Sequence, residues 1–369
     1  MSDKILEGFP DIFLCNDGTA LQSPDQWPKR REELLHTIVP LLYGDLPPQP
    51  EVLRVSKLFH HRNFYTYLIE AGTQERLVSF ELRLHLPQGE GPFPVILTGD
   101  GCFACCTEQV IQEANRRGFM VAIFNRLMIA RDNYEKADYT GGIYDVYPGS
   151  RFGAIAAWAW GYHRCVDTLE QMEFADSNCI AITGHSRGGK TTLLAAATDP
   201  RILFTQDNAS GACGGGCFRY EQYVSQEEMR KYNIEDPRSE RLEDLYPIVP
   251  YWLGQDIWQY IGKEYQLPFD QHFLKAAIAP RWLLQTNSLD DIWANPKGSY
   301  QTHLAAKEVY RFLNVEDRIA SVYRYGPHDH RFEDFYHFFD FIECAINERA
   351  YLKDNADQVM NMPFLFKQN

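Results

Sequence analysis

The chain has 369 residues, of which 45% are hydrophobic, so it can bury the large core of a globular α/β enzyme. Its formal net charge of -14 argues against nucleic acid and anionic membranes as partners, because both are themselves negatively charged. Nine cysteines, and a start without an uninterrupted apolar segment, predict reduced thiols and a cytoplasmic protein. The longest apolar stretch, around 152–160, is far too short to span a bilayer.

Residues 1–86 are predicted to form an N-terminal arm followed by antiparallel strands. Residues 23–25 (Ser-Pro-Asp) open a helix that runs through Trp27 to about Tyr43, where Gly44 and a group of prolines end it. Apolar and polar residues then alternate from 52 to 86, the pattern of strands with one buried face. We expect this segment to join the rest of the chain in a single domain that covers residues 1–369.

Strands and helices alternate after this segment. Short apolar runs predict the strands, and amphipathic or small-residue segments predict the helices between them. The series is a strand at 95–98, a helix ending before Gly118, a strand at 120–124, a helix near 151–171, a strand at 179–183, a helix at 188–198, strands at 202–206 and 281–286, a helix at 300–313, a strand at 319–325 and a helix at 333–347. This βαβ order predicts an α/β fold with a doubly wound, mostly parallel sheet.

Residues 207–270 interrupt the alternation. They are rich in charge and in aromatic residues, among them Tyr220, Tyr223, Tyr232, Tyr246, Tyr251, Trp252, Trp258 and Tyr260. Open α/β sheets bind ligands at the carboxyl ends of their strands, so we predict an insertion that covers this active-site edge. Its rings could stack on sugars, although packing of the insertion onto the body is the simpler explanation for any one of them.

The stretch from 179 to 192, CIAITGHSRGGKTT, reads as a strand, a tight turn and a helix. Residues 184–188 match G-x-S-x-G, the nucleophile elbow of α/β-hydrolases, with Ser186 as the nucleophile. Glycines flank the serine because the turn is sharp and its neighbours pass closely. Residues 184–191 also match the phosphate-binding pattern G-x-x-x-x-G-K-[ST] of NTPases. A glycine-rich turn without chemistry is the third interpretation.

The residues after the last strands favour the hydrolase. A Ser-Asp-His hydrolase needs an acid after a late strand and a histidine after the final one. Asp290 and Asp291 follow the penultimate strand, and His328 follows the last, with His330 as an alternative base. The NTPase alternative leaves this histidine without a role. Its best candidate for a magnesium ligand, Asp100, lies upstream of the loop after a short apolar run.

From about residue 80 onward the chain resembles carbohydrate esterase family 15, the glucuronoyl esterases, and the bacterial hydrolases around them. The resemblance rests on GHSRGGK at 184–190, which is similar to the family's G-C-S-R-x-G-K, on LPFDQH at 267–272 with APR at 279–281, on D-x-W-x-x-P at 291–296, and on R-x-G-x-H at 324–328 followed by EDF at 333–335. It implies an α/β-hydrolase fold and a serine esterase that acts on a carbohydrate ester, foremost a 4-O-methyl-glucuronate ester.

Two positions depart from the family pattern. His185 stands where the family has cysteine before the serine. Many members carry the triad acid as a glutamate before a Ser-Gly stretch, and this chain has Ala209 there. Some bacterial members place the acid in the later D-x-W segment instead, which assigns it to Asp291. Asp290 and then Asp207 are the alternatives.

These residues predict acyl transfer through a covalent intermediate. His328 takes the proton of Ser186, Asp291 holds the imidazole, and the serine attacks the ester carbonyl. The backbone N–H of Arg187, the residue after the nucleophile, is the expected oxyanion donor.

The resemblance adds the guanidinium of Arg187 to the stabilisation of the oxyanion. It also implies that Lys190 contacts sugar hydroxyls and that Trp293 borders the pocket. The alternative for Lys190 is a solvated helix cation. His185 and His272 are expected to be structural.

The predicted partner is a small carbohydrate ester, and no cofactor or metal is expected. The C-x-x-C-C spacing at 102–106 has no second Cys/His pair at zinc-ligand spacing nearby.

The same triad would also cleave an acetyl ester, so a carbohydrate acetyl esterase is the alternative function. An NTPase and a non-catalytic binding protein of the same fold are further alternatives. Because no export signal is visible, we expect an imported sugar fragment rather than a polymer.

Overall fold

The computed structural model describes residues 5–132, 139–355 and 364–368, so the first four residues of the predicted arm lie outside the described part. Its helices are α1 (Trp27–Ile38), α2 (Glu108–Arg116), α3 (Ile143–Val146), α4 (Ala154–Leu169), α5 (Arg187–Thr198), α6 (Gln226–Tyr232), α7 (Leu242–Leu245), α8 (His272–Ile278), α9 (Pro296–Phe312) and α10 (Phe332–Ile346). Its strands are β1 (Val52–His61), β2 (Phe64–Gly72), β3 (Leu77–His85), β4 (Phe93–Thr98), β5 (Met120–Phe124), β6 (Ala175–His185), β7 (Ile202–Asn208), β8 (Tyr220–Tyr223), β9 (Trp282–Ser288), β10 (Ile319–Arg324) and β11 (Leu365–Gln368).

Nine of these strands form one sheet, in the spatial order β1-β2-β3-β5-β4-β6-β7-β9-β10. The pairs β1–β2, β2–β3 and β3–β5 are antiparallel, and the remaining neighbours are parallel. β8 and β11 form a separate antiparallel ribbon. The predicted doubly wound, mostly parallel sheet is therefore confirmed, with the antiparallel strands at its N-terminal edge.

Helices cover both faces of the parallel strands, which is why their sequences are apolar at successive positions. In β4, Val95 and Leu97 belong to the core under α1, α4, α5 and α8, whereas Ile96 between them belongs to the core under α2 and α10. All three side chains are at most 2% exposed. No helix within the described ranges combines the length and the apolarity needed to cross a bilayer.

The N-terminal arm packs closely onto the body. α1 continues into a π-helical turn at Val39–Tyr43, so the predicted end of the helical segment is confirmed. Trp27 at its start is 2% exposed. Arg31 donates to the backbone carbonyls of Ala197 and Ala277, each at 2.6 Å, and so ties α1 to the ends of α5 and α8.

The insertion leaves the sheet after Asn208 at the end of β7. The predicted start at residue 207 is two residues early, because Asp207 and Asn208 still pair with β9. Beyond it, the chain forms β8, α6, α7 and a 3-10 turn at Pro250–Trp252 before α8 leads back to the sheet. This segment therefore starts from the carboxyl end of a central strand, where its residues can reach the neighbouring strand ends.

Candidate active site

Ser186 occupies a strained turn between β6 and α5. Its backbone has φ +56° and ψ -121°, a conformation that side-chain-bearing residues rarely adopt. The Ser186 N–H donates to the Asn208 carbonyl at 2.9 Å, which fixes the turn against β7. A Cβ on Gly184 would lie 2.5 Å from the Gly188 carbonyl oxygen, and one on Gly188 would overlap the Asp100 carboxylate. The strand–turn–helix prediction is thus confirmed, and both flanking glycines are required by close contacts.

The phosphate-binding interpretation of the same residues is wrong. Arg187 already begins α5, so the segment that the pattern predicts as a phosphate-cradling loop is helix. Asp100, its candidate magnesium ligand, is buried, pairs with Arg126 and accepts the His185 N–H at 2.7 Å. The Asp100 carboxylate therefore supports the turn that carries Ser186.

His328 and Asp291 meet at the ends of two adjacent parallel strands. His328 follows β10 and Asp291 follows β9, and His328 Nδ1 lies 2.6 Å from Asp291 Oδ2. The Asp291 side chain is 1% exposed and that of His328 is 33% exposed. Asp290 instead accepts the Gly326 N–H at 2.8 Å, and Asp207 is buried in β7. Of the three candidate acids, Asp291 is the one that the structure brings to the imidazole.

The surroundings of His328 favour its charged form. Burial lowers the pKa of His328, but the hydrogen bond and charge of Asp291, together with the charge of Glu240, outweigh burial and leave the pKa above 6.5. Burial, with the neighbouring His328, lowers the pKa of His185 to about 3, and burial also holds the pKa of His330 well below its ordinary value. His330 stacks on Phe335 with ring centroids 3.9 Å apart. Of these histidines, His328 is therefore the one suited to accept a proton.

Ser186 and His328 line one cavity of about 530 Å³. The insertion supplies six residues to its wall: Glu240, Asp244, Leu245, Ile248, Val249 and Trp252. Trp252 is the aromatic residue of the insertion that faces the cavity, whereas other rings have internal partners; Tyr220, for example, donates to the Glu7 carbonyl at 2.7 Å. The predicted cover over the active-site edge is present, and apolar side chains form much of it.

The Arg187 guanidinium lies at the same cavity. Its central carbon lies 4.7 and 5.3 Å from the ring centroids of Phe103 and Trp252, within cation–π distance of both. Its Nε forms an ion pair with Asp132 Oδ2 at 2.5 Å. The cation therefore lies at the cavity that Ser186 lines, which is the location implied by the family resemblance.

Lys190 lies beneath the cavity and is 2% exposed, so it is not a solvated helix cation. Its amine donates to the carbonyls of Ser210, at 2.6 Å, and Ala212, and to Glu240 Oε2 at 2.6 Å. Glu240 itself faces the cavity, as does Trp293, whose backbone carbonyl accepts the Glu240 N–H at 2.9 Å. The position predicted for Trp293 agrees with the structure, and contact of Lys190 with a sugar stays a prediction.

The two histidines expected to be structural have internal partners. His185 Nδ1 lies 2.6 Å from Asn208 Oδ1, and its ring lies 4.6 Å from that of His328. His272 Nε2 lies 3.0 Å from the Pro10 carbonyl and so joins α8 to the N-terminal arm.

Sequence reasoning missed Glu240 and Asp132. Both lie in irregular segments, where neither apolar periodicity nor a motif marks them. The one available signal for Glu240 was its place in an insertion predicted to cover the site.

Comparison with known proteins relates the chain to the glucuronoyl esterases. The family model of fungal glucuronyl esterases matches residues 69–314, more than half of the chain. The chain is 30% identical to 4-O-methyl-glucuronoyl methylesterase 1 of Wolfiporia cocos, over 90% of this chain and 79% of that protein.

Solved structures show the same likeness over nearly the whole chain. A carbohydrate esterase family 15 glucuronoyl esterase from Caldicellulosiruptor kristjansonii superposes with a TM-score of 0.81 at 30% identity, covering 96% of this chain and 94% of that one. A promiscuous esterase of the same family from a marine bacterial metagenome gives 0.77 at 26% identity, covering 91% and 96%. The chain has the α/β-hydrolase fold and belongs to carbohydrate esterase family 15, the glucuronoyl esterases.

Proposed function

We propose that this protein is a serine esterase that hydrolyses a glucuronoyl ester, with a 4-O-methyl-glucuronate ester as the favoured substrate. The observation that carries the mechanism is the 2.6 Å contact between His328 and Asp291 at the cavity that Ser186 also lines. The family membership supports the substrate class, because its relative from Wolfiporia cocos is a 4-O-methyl-glucuronoyl methylesterase.

The acylation step uses all three side chains. His328 takes the proton of the Ser186 hydroxyl as its oxygen attacks the ester carbonyl, and Asp291 holds the imidazole tautomer and stabilises the imidazolium. The tetrahedral oxyanion accepts a hydrogen bond from the backbone N–H of Arg187 and is stabilised by the positive charge of the Arg187 guanidinium. Collapse breaks the bond to the alcohol, which leaves with the proton from His328.

The deacylation step repeats this chemistry with water as the nucleophile. His328 takes a proton from water, the resulting tetrahedral intermediate collapses, and the bond between the uronate and Ser186 breaks as His328 returns the proton to the serine oxygen. The products are the alcohol and the free uronate.

The sugar is held, in this proposal, by the polar side of the cavity. The Glu240 carboxylate accepts sugar hydroxyls, and Trp293 borders the ring. Lys190 contacts the sugar directly when its amine replaces one of its present protein acceptors with a sugar hydroxyl. Otherwise it acts by holding the Glu240 carboxylate in place. A carbohydrate acetyl ester would react by the same steps, so acetyl esterase activity remains the alternative.

We also propose that the protein acts in the cytoplasm on an imported sugar fragment. All nine cysteines carry free thiols, which supports a reducing compartment.

The test compares methyl and benzyl glucuronate esters with acetylated sugars and 4-nitrophenyl acetate. We expect the wild type to prefer the glucuronate esters. Ser186→Ala should lose turnover by about a million-fold, the loss that follows removal of the nucleophile in a comparable triad. Ser225→Ala, at the N-terminus of α6 and outside the cavity, is the matched control and should keep wild-type activity. Preference for acetyl esters would favour the alternative, and full activity of Ser186→Ala would refute the mechanism.

A further inference from the structure

The Asp132 carboxylate pairs with the guanidinium of Arg187 and takes no part in the nucleophilic attack or the proton transfers. We propose that Asp132 is a positioning residue that fixes this guanidinium for the oxyanion, and that Tyr251 and Trp252 of the insertion hold Asp132 in turn. The inference rests on the proposed function, because it assigns a supporting partner to the oxyanion site of that same reaction.

The orientation of the Asp132 carboxylate is fixed from two sides. Its side chain is 2% exposed, and Oδ2 pairs with Arg187 Nε at 2.5 Å. Oδ1 accepts the Tyr251 hydroxyl at 2.7 Å and the Trp252 indole N–H at 2.8 Å. The carboxylate therefore connects the cover of the cavity to the residue that follows the nucleophile.

Arg187 needs such a partner because a long side chain at a cavity wall has many rotamers. Asp132 pairs with the Nε edge of the guanidinium, while the rings of Phe103 and Trp252 both lie within cation–π distance of it. Trp252 thus acts twice, as a cation–π partner of the guanidinium and as a donor to its counter-ion. The arrangement restricts the cation before an ester carbonyl arrives, and preorganised charge is what stabilises an oxyanion efficiently.

A carboxylate is required at this position, since an asparagine cannot replace both of its contacts. One orientation of the amide turns its NH₂ group toward Arg187 Nε–H, and the other turns it toward the Trp252 indole N–H. Both orientations remove the negative charge that pairs with the guanidinium, and the second also loses the acceptor for the indole N–H. Asp132→Asn therefore disturbs the guanidinium while preserving side-chain volume.

The expected effect on kcat and KM follows from the stage of the reaction at which the oxyanion exists. Its negative charge develops in the transition states of acylation and deacylation and is absent from bound substrate. A misplaced guanidinium therefore lowers kcat for either limiting step and leaves KM nearly unchanged.

The test is a double-mutant cycle on whichever ester the wild type cleaves, with Asp132→Asn, Arg187→Met and the double variant. We expect Asp132→Asn to lower kcat about 10- to 100-fold with KM within twofold, and Arg187→Met to lower it about 100- to 1,000-fold, the range for loss of one oxyanion donor. The double variant should match Arg187→Met within about twofold, because without the guanidinium there is nothing left to position. Asp256→Asn, which removes an exposed ion pair with Arg151, is the matched control and should leave kcat unchanged.

A kcat of Asp132→Asn within twofold of the wild type would overturn the proposal. Losses that multiply in the double variant would also overturn it, since they indicate a general structural effect. If Asp132→Asn does not fold, Tyr251→Phe decides the question: it should lower kcat about two- to fivefold in the wild type and not in Arg187→Met, the loss expected for one hydrogen bond of modest net value. Equal losses in both backgrounds would contradict the proposal. Failure of the proposed function would appear separately, as a wild type without esterase activity or an active Ser186→Ala.

Discussion

Asp290 and Asp291 are neighbours in the sequence, yet their carboxylates have different partners. Asp291 contacts the imidazole of His328, whereas Asp290 accepts the backbone N–H of Gly326. The first contact orients a reacting group, and the second fixes the loop that carries it. The two residues therefore provide a matched pair of substitutions.

We predict that Asp291→Asn lowers kcat about 10,000-fold, as the same change does in a serine protease triad, because the amide no longer holds the reactive tautomer of His328. Asp290→Asn should stay within about tenfold of wild-type activity, since it keeps an acceptor for the Gly326 N–H. Steady-state kinetics of both variants on the same ester check this. The reverse order of effects would move the acid to Asp290.

The pH profile gives the same prediction a second readout. The neutral imidazole is the active base, and the pKa of His328 lies above 6.5 because Asp291 favours the charged form against the effect of burial. The wild-type kcat/KM should therefore fall on acidification with a midpoint above pH 6.5. Removing the Asp291 charge lowers the pKa, so the midpoint of Asp291→Asn should move to lower pH while that of Asp290→Asn stays in place. An unmoved midpoint in Asp291→Asn would contradict this assignment.

Residue-level prediction succeeded where strand ends bring residues together. Ser186, Asp291 and His328 each follow a strand of the parallel sheet, and carboxyl ends of parallel strands share one edge. Glu240 and Asp132 could not be predicted in this way. Their partners, Lys190 and Arg187, are reached through irregular chain whose path depends on tertiary packing.

At the scale of elements, the elbow depends on a buried ion pair as well as on its glycines. Asp100 pairs with Arg126, whose side chain is fully buried, and also accepts the N–H of the residue before the nucleophile. Removing one partner of a buried pair leaves the other charge without compensation.

We therefore predict that Asp100→Asn lowers the free energy of unfolding by about 3–5 kcal/mol, the cost of breaking a buried pair. Glu81→Gln removes an ion pair to Arg83 that is largely exposed and should cost at most about 1 kcal/mol. Urea unfolding at neutral pH measures both. Equal costs for the two variants would show that the pair under the elbow contributes no more than a surface contact.

The strands of the nine-stranded sheet and the longer helices around it are predicted well, because periodic apolar residues and glycine or proline boundaries mark them, whereas the short elements α3 and β11 are not predicted. The two-residue error at the start of the insertion has a physical cause: Asp207 and Asn208 are polar, yet their backbone continues β7 and pairs with β9. Asn208, for instance, is fully buried and donates to Thr286 Oγ1 at 2.9 Å. Polarity at the end of a strand resembles the start of a loop until such partners are known.

At the scale of the whole molecule, the N-terminal arm behaves as part of the core in its packing. The buried Trp27 and the two carbonyl contacts of Arg31 join α1 to α5 and α8, and α5 is the helix that follows the nucleophile. The single domain over residues 1–369 stays a prediction, which a folding experiment can test.

We predict that Trp27→Ala lowers the free energy of unfolding by about 3–5 kcal/mol, the usual cost of truncating a buried tryptophan. The loss should shift one cooperative transition, seen at the same denaturant concentration by circular dichroism and by tryptophan fluorescence. Leu352→Ala, at a side chain that is 88% exposed, is the control and should change stability by less than about 0.5 kcal/mol. A main transition that stays in place in Trp27→Ala would show that the arm unfolds independently.

The cavity has a dual origin. Ser186, Asp291 and His328 follow strands of the rigid sheet, whereas Leu245, Ile248 and their neighbours belong to a segment spliced between β7 and β9. The residues that carry out bond cleavage and those that line much of the cavity wall thus lie in separate stretches of the chain. Substitutions confined to residues 242–249 can therefore reshape this wall without altering the strands that position Ser186, Asp291 and His328.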